Sequence, residues 1–380
     1  MLAVMRRIGR TARRLNTQSA SVRSAALQDM PGLRSAFAVG RDGKLRRRLW
    51  HLPEICLASH HQNMAVFDRS VLYIGGLDLD ARRSDAQGHP QRAAPGWHDV
   101  QLMLRGPVVA EAQRHLGSFL ENCAGPSEPA PARRFIRTLT RRRRFNLARF
   151  GPSPLVTEIC SSHEMEARKA RNFIYLETQF FRDVDLAAML ARQAAEKPNL
   201  NLIVILPAAP DKPAAAAASG LEARYGAFTQ ARCIRIVTRA FGPRCFIGSG
   251  GQAPSPCPGA ADGPVPPGTP AGSPGLCIQS KVSLFDGKSA ILSSANLNER
   301  RLLWDTEAGV ILRDAAFVDA LCRRVMGHWL QGAEGTEFFS GPAIAEAWRA
   351  RAMLNLSRPP EARSGYLLPY GMTAAGAFAI

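Results

Sequence analysis

The sequence predicts a mixed α/β protein, on three observations. Short apolar runs rich in β-branched and aromatic residues recur along the chain, segments with helical spacing lie between them, and one strand-turn-strand unit occurs twice. A length of 380 residues suffices for one large or two ordinary domains. A composition of 46% hydrophobic and 21% charged residues is globular, which excludes wholesale disorder, collagen and coiled coil. The longest apolar stretches, such as Leu202 to Leu206, fall far short of the roughly 18–20 residues a membrane helix needs.

Residues 1–45 are polar and Arg-rich without strand pattern, and predict one or two loose helices. Met1 to Leu15 interleaves Leu2, Met5, Ile8 and Leu15 with Arg6, Arg7, Arg10, Arg13 and Arg14, so it lacks the unbroken apolar core of a secretory signal. The pattern suits an anionic membrane surface, an organellar transit-type peptide or a plain solvated start. Strands are predicted at Met64–Phe67, Val71–Ile74, Val100–Leu104, Phe173–Leu176, Leu202–Leu206, Ile234–Val237, Val282–Phe285, Ala290–Leu292 and Gly309–Leu312. Helical spacing runs through Val108–Cys123, Pro154–Arg171, Asp183–Glu196, Leu221–Arg239 and Ala315–Leu330. From Gly248 to Gly275, 8 Gly and 8 Pro in 28 residues read as a flexible insertion.

The net charge of +18 is local. Residues 1–50 hold 12 basic and 2 acidic residues, residues 131–150 hold 8 and none, and the remainder balances. Phosphate-rich partners are therefore expected only at those two blocks, and Arg133–Arg149 reads equally as a solvated linker face. The eight cysteines show no C-x-x-C spacing and no Cys/His cluster, which argues against structural zinc and fits reduced thiols in a cytosolic protein.

Shifting the sequence by 218 residues lays His61-Gln62-Asn63 on Gln279-Ser280-Lys281, Phe67-Asp68 on Phe285-Asp286, Gly75-Gly76 on Ser293-Ser294 and Arg82-Arg83 on Arg300-Arg301. Each copy reads strand, tight turn at the Asp, strand, then a loop of small residues. Such a hairpin presents alternate side chains to one face.

These residues resemble a known family. His60-His61-Gln62-Asn63, Asp68, Gly75-Gly76-Leu77-Asp78 and Trp97-His98-Asp99 look like the first motif region of the phospholipase D superfamily, in which His-x-Lys-(x)4-Asp precedes Gly-Gly or Gly-Ser. Ile278-Gln279-Ser280-Lys281, Asp286 and Ser293-Ser294-Ala295-Asn296 look like the second. Tyr175 to Phe181 and Trp304 to Glu307 are similar to segments of bacterial members, and the resemblance spans about residues 50–375.

The resemblance implies a two-lobed α/β sandwich with the motif hairpins related by a pseudo-twofold axis over one cleft. It also implies a metal-independent phosphodiester hydrolase or phosphatidyl transferase that needs no cofactor. In the family one His attacks phosphorus, the other serves as acid and then base, and two Lys bind the nonbridging oxygens. Here Asn63 stands where the first Lys is expected and Gln279 where the second His is expected. A Gln amide donates hydrogen bonds but transfers no proton at neutral pH.

The implied catalytic set is His61, Lys281, Asp68, Asp286, Gln279 and Asn63. Ser294, Asn296 and Gly76 would contact substrate, and Asp85 and Glu307 would orient the first motif residues. A turn Asp bonding backbone accounts equally for Asp68 and Asp286. His98 is the only nearby candidate to stand in for the missing acid, and the family has a His at that place already. Expected partners are a phospholipid or other phosphodiester and, through the Arg-rich segments, an anionic membrane, with nucleic acid behind them. The expected location is the cytoplasm or the periphery of the inner membrane. The chain divides into a basic segment (1–45), an incomplete first lobe (46–150), a second lobe (151–340) with the insertion at 248–275, and a C-terminal extension (341–380). The alternative to an impaired enzyme is a pseudoenzyme that binds anionic phospholipid or phosphate.

Overall fold

The computed structural model describes residues 2–28, 36–40, 42–48, 58–76, 97–125, 127–142, 152–208, 221–251, 276–331, 335–373 and 376–377. The chain opens with helices α1 (Leu2–Asn16) and α2 (Ala20–Gln28), then strands β1 (Phe37–Val39) and β2 (Leu45–Arg47). Strands β3 (Met64–Phe67), β4 (Val71–Gly75), β5 (Trp97–His98) and β6 (Gln101–Leu104) precede helix α3 (Pro107–Ala124). Next come β7 (Phe135–Arg141), β8 (Ser153–Thr157), α4 (Glu158–Lys169), β9 (Phe173–Glu177), α5 (Val184–Glu196), β10 (Asn201–Leu206), α6 (Leu221–Phe241) and β11 (Cys245–Gly250). The second copy supplies β12 (Cys277–Ile278), β13 (Val282–Phe285), β14 (Ser289–Ser293), α7 (Glu299–Leu303), β15 (Glu307–Leu312) and α8 (Ala315–Leu330), followed by α9 (Ile344–Leu356) and β16 (Leu367–Pro369).

A nine-stranded mixed sheet, ordered β16-β11-β10-β9-β13-β14-β15-β7-β8, forms the centre. β9, β10 and β11 run parallel to their neighbours in that trio, and the other pairings are antiparallel. Both faces are covered, so the central strands are apolar throughout. Ile174 and Leu176 of β9 and Leu202, Val204 and Leu206 of β10 turn toward α4, α5 and α6. Phe173, Tyr175, Ile203 and Ile205 turn the other way, into a core shared with α8, α9 and the first copy. Leu72, Ile74, Leu102, Val108 and Ala112 enter that same core, so the small sheet β3-β4-β6 and α3 are packed as part of it.

The repeat is reproduced strand for strand. β3 and β4 pair as Met64↔Ile74 through Phe67↔Val71, and β13 and β14 as Val282↔Leu292 through Phe285↔Ser289, each 218 residues on. The turns match as well. Asp68 and Arg69 have φ of 48° and 53°, Asp286 and Gly287 have 56° and 65°, and each turn is closed by a 2.9 Å hydrogen bond, Ser70 N to Phe67 O and Lys288 N to Phe285 O. Positive φ at both central positions defines a type I′ turn, whose twist suits a hairpin and which Asp tolerates better than most residues. Beyond the hairpin a third strand is added with offset 208, β6 on β4 and β15 on β14, and then a helix, α3 or α8.

Several expectations are corrected. Residues 1–45 contain strand β1 beside their helices, and β1 pairs with β2; Ala12 and Leu15 of α1 pack on Phe37 and Leu45 in a small separate cluster, where Asn16 bonds both backbone groups of Leu45. Ile234–Val237 is no strand, because 21 residues of helical spacing in α6 outweigh a four-residue apolar run. Pro154 to Thr157 belongs to β8, and the helix starts only at Glu158.

The basic block is not all linker, since Phe135–Arg141 is a buried strand of the large sheet. Arg137, only 3% exposed, is neutralised there by a bidentate pair with Glu158. Strand β11 extends into the start of the expected insertion, whose residues 252–275 lie outside the described ones, as do Arg143 and Arg144, and residues 374–375 and 378–380.

The two turn aspartates differ in their bonds. Asp286 accepts the backbone N–H groups of Arg171, Asn172 and Phe173 at 2.7, 2.8 and 2.9 Å and so clamps the hairpin tip to the start of β9. Asp286→Ala is expected to lower stability by about 1–3 kcal/mol and Asp68→Ala by less than about 1 kcal/mol, read as urea unfolding midpoints. Equal losses would show that the clamp is not what Asp286 contributes.

Candidate functional site

The two copies meet through reciprocal backbone pairing. His60 bridges Thr306 in parallel, and β5 pairs β12 in parallel with Ile278 opposite His98. Ile278 is the repeat equivalent of His60, and His98 that of Thr306. The hydrogen bonds repeat too: His61 N donates to Thr306 O at 2.8 Å and Gln279 N to His98 O at 2.9 Å. Each hairpin's leading residue is thus held by a residue just ahead of the other copy's third strand, as in an isologous contact between subunits.

Strand alternation then sorts the motif side chains. The middle residues point inward, Gln62 to His115 of α3 and Ser280 to the buried Glu177 of β9. The first and third residues, His61 and Asn63, Gln279 and Lys281, take the opposite side.

In one half, Glu307 is fully buried and receives Arg301 Nη1 at 2.7 Å on one oxygen. Its other oxygen receives the Ser294 hydroxyl and lies 3.3 Å from His61 Nδ1. Ser294 Oγ also lies 2.8 Å from His61 O and takes the Ala308 N–H at 3.0 Å. His61 is consequently fixed by its N–H and its ring. A carboxylate at Nδ1 selects the tautomer with the proton there, which leaves the Nε2 lone pair available. The side chain is 34% exposed, and among the described residues Nε2 has no hydrogen-bond partner.

In the other half, the equivalent of Glu307 is Asp99, with Gln279 where the ring would be. Asp99 accepts Val100 N at 2.8 Å and Gln101 Nε2 at 3.0 Å. Burial raises its pKa, against those hydrogen bonds and the Lys281 charge. Lys281 is 5% exposed, and its Nζ donates to Gln279 O at 2.6 Å. Gly76 is the counterpart of Ser294. A Cβ built on it would fall well inside contact distance of Asp99 Oδ1 and Gln279 O, so the close approach of the copies here requires glycine.

Glu177 is a second anchor. It receives Tyr175 Oη, Ser280 Oγ and, at 2.7 Å, Trp329 Nε1, and pairs with His98 Nε2 at 2.8 Å. Burial opposes its charge, but the His98 charge and these donors hold its pKa at about 2. Burial likewise opposes a charged His98, and Glu177 outweighs it, so the His98 pKa is raised. The His98 ring stacks on His328 at 4.2 Å and meets Trp329 edge-on. Its Nε2 is therefore committed to Glu177.

Asn296 is buried and donates to Gln179 Oε1 at 3.3 Å. Asp68 and Asp286 sit at the far tips of their hairpins from His61 and Lys281. Asp85 lies outside the described residues. Sequence reasoning assigned no role to Asp99, Glu177 or Arg301. Asp99 carried a signal, its place two residues before the third strand of its copy, where Glu307 begins the third strand of the other. Among the described residues no group of three or more His, Cys, Asp or Glu side chains is arranged to hold a metal, and no helix is long and apolar enough to cross a membrane.

No protein-family model matches the chain, and neither does any curated protein sequence. Solved structures align with parts of it. Phosphatidylserine synthase from Haemophilus influenzae Rd KW20 aligns with a TM-score of 0.45 and 12% identity over 69% of this chain and 59% of that one. NucT from Helicobacter pylori aligns with 0.30 and 13% over 43% and 81%. The phospholipase D family member Nuc from Salmonella typhimurium aligns with 0.29 and 12% over 46% and 88%.

Two outcomes are expected from this geometry. Gly76→Ala should cost about 1–3 kcal/mol by forcing Asp99 and Gln279 apart, measured by thermal unfolding, and an unchanged midpoint would show that the seam yields freely. The second concerns pH. Burial holds His115, His163 and His328 at about 4 against an ordinary 6.5, with Arg137 adding to this at His115 and the His98 charge at His328. These three rings are neutral when folded and take up protons on unfolding, so stability falls as pH drops from about 6.5 toward 4. His98, with its raised pKa, is charged in both states below 6.5 and adds nothing to that slope. The Glu177 contribution fades only below its ordinary 4.5. Urea midpoints across pH 4.5–6.5 should therefore decline toward acid, with an uptake of up to about three protons from these rings.

Proposed function

We propose that the protein is a phospholipase D-like phosphodiesterase, a phospholipid hydrolase or phosphatidyl transferase, in which His61 Nε2 attacks phosphorus to give a phosphohistidine. The observation that carries this reading is the His61 Nδ1 to Glu307 contact, which leaves Nε2 as the outward nucleophile. Glu307 stabilises the imidazolium that forms when Nε2 bonds to phosphorus. Lys281, held beside the same seam, supplies a cation for the nonbridging oxygens. The two copies act as halves of one pseudo-twofold cleft, with His61 in one half placed for attack. Ser294 and Asn296 line the loop that follows the second hairpin, and Ser294 serves the reaction through Glu307. Arg10, Arg13 and Arg14, exposed on α1, are suited to peripheral contact with an anionic membrane.

The test is turnover of a chromogenic phosphodiester with a good leaving group. His61→Ala should abolish it, and Lys281→Met should lower it by about 10²-fold or more. Adding Asn63→Lys with Gln279→His should raise it by about 10²–10⁴-fold. An inert native chain beside an active restored one would overturn catalysis in favour of phosphate or anionic-lipid binding.

A further inference from the structure

The two copies of the repeat bury their sheets differently. In the second copy both faces of β13-β14-β15 are covered. Leu284, Leu292 and Val310 turn into the core shared by the copies, and Phe285, Ile291 and Ile311 turn the other way, beneath helix α4. Those three are 3%, 0% and 4% exposed. The offsets of 218 and 208 that relate the strands carry them onto Phe67, Tyr73 and Met103 of β3-β4-β6. Phe67 is 56% exposed, Met103 is 68% exposed and Tyr73 is half-buried.

This open face is also more apolar than its covered counterpart. Ser283 Oγ lies 3.0 Å from His163 Nε2 of α4, and Ser289 Oγ donates to Glu166 Oε2 at 2.7 Å. Ala65 and Val71 take the places of these serines in the first copy. An antiparallel sheet with one face in water alternates apolar and polar residues. Val71-Leu72-Tyr73-Ile74 does not, and it has the composition of a strand buried on both sides. Scattered apolar side chains on a surface are ordinary, but here Tyr73 stands directly opposite Met103 and Phe67 opposite Val71.

The second copy shows what such a face receives. Helix α4 lies across it with Ile159, His163 and Ala167, at i, i+4 and i+8, toward the sheet. Glu166 accepts Arg313 Nη2 at 2.8 Å, and the backbone leaving the helix, Arg171 to Phe173, donates three N–H groups to Asp286. Both receiving groups have counterparts in the first copy. Arg105 corresponds to Arg313 and Asp68 to Asp286, both are exposed, and Asp68 holds the same left-handed turn, with φ of 48° against 56°.

We infer that the outer face of β3-β4-β6 is a docking surface for an amphipathic helix of another protein, seated as α4 is seated on β13-β14-β15. The helix presents apolar side chains at i, i+4 and i+8, the middle one apolar because Ala65 replaces Ser283. An acidic residue at i+7 meets Arg105. The backbone N–H groups that follow the helix bond to Asp68, so the two charged residues fix the direction in which the helix lies.

The experiment titrates the full chain into a fluorescein-labelled peptide of residues 158–173 and reads anisotropy. The peptide carries His163→Leu, and a lactam between Ser161→Lys and Met165→Glu, positions exposed on α4, holds it helical. Saturable binding is expected. Met103→Glu should weaken it by about tenfold or more, and Asp68→Ala by about threefold or more. Glu166→Ala in the peptide should cost about two- to fivefold on the native chain and nothing further on Arg105→Ala. Sedimentation equilibrium of the chain alone, expected to show a monomer, addresses the other occupants. A dimer that Met103→Glu dissociates would assign the face to a second copy and overturn the inference. A monomer that fails to bind the helical peptide would show that the face is filled within the chain and overturn it as well. Binding unchanged by both Met103→Glu and Asp68→Ala would place the peptide elsewhere, with the same result.

Discussion

Reciprocal pairing across the seam is the constraint on which the rest of the molecule depends. Four backbone contacts, His60 with Thr306, His61 with Thr306, Ile278 with His98 and Gln279 with His98, bring together two hairpins far apart in sequence. Because the contact is reciprocal, placing one hairpin places the other, and alternation along each strand then fixes which side chains enter the core and which take the opposite side. The small residue after each hairpin completes the arrangement. Ser294 uses the available room for a hydroxyl that donates to Glu307, whereas at Gly76 there is room for no side chain at all.

Burial of charge along this seam is tolerated because each buried group has partners. Glu177 gathers donors from its own strand, the second motif, the first copy's β5 and helix α8, so one carboxylate joins four elements. Glu307 and Asp305 do similar work on the other side with Arg301 and Arg300. Removing a single partner from such a site leaves an uncompensated buried charge, which costs more than the pair contributes while intact. The seam is thus a place where stability and positioning rest on the same atoms.

Much of this was legible in the sequence because it is written twice. The Asp turns, the 218-residue offset and the apolar alternation located both hairpins to within a residue of their observed ends. Asp99 escaped because the loop after the first hairpin is longer, so the offset changes from 218 to 208 before the third strand begins. Strand β7 escaped because its alternation is carried by Phe135, Arg137 and Leu139, and a buried arginine looks like a surface residue until its partner Glu158 is in place. Glu177 was visible only as part of a resemblance. Its role depends on donors from distant segments, which no local pattern reports.

The sequence separation of the seam also has a consequence in time. Ser59 and His60 reach partners at Asp305 and Thr306, 246 residues further along the chain. At a synthesis rate of about 5–20 residues per second, the first hairpin waits on the order of 12–50 s for the strand that holds it. During that interval the apolar residues that later enter the shared core, Leu72, Ile74 and Leu102, have no second copy to pack against. The half that carries His61 is therefore the half that emerges first from the ribosome and is finished last.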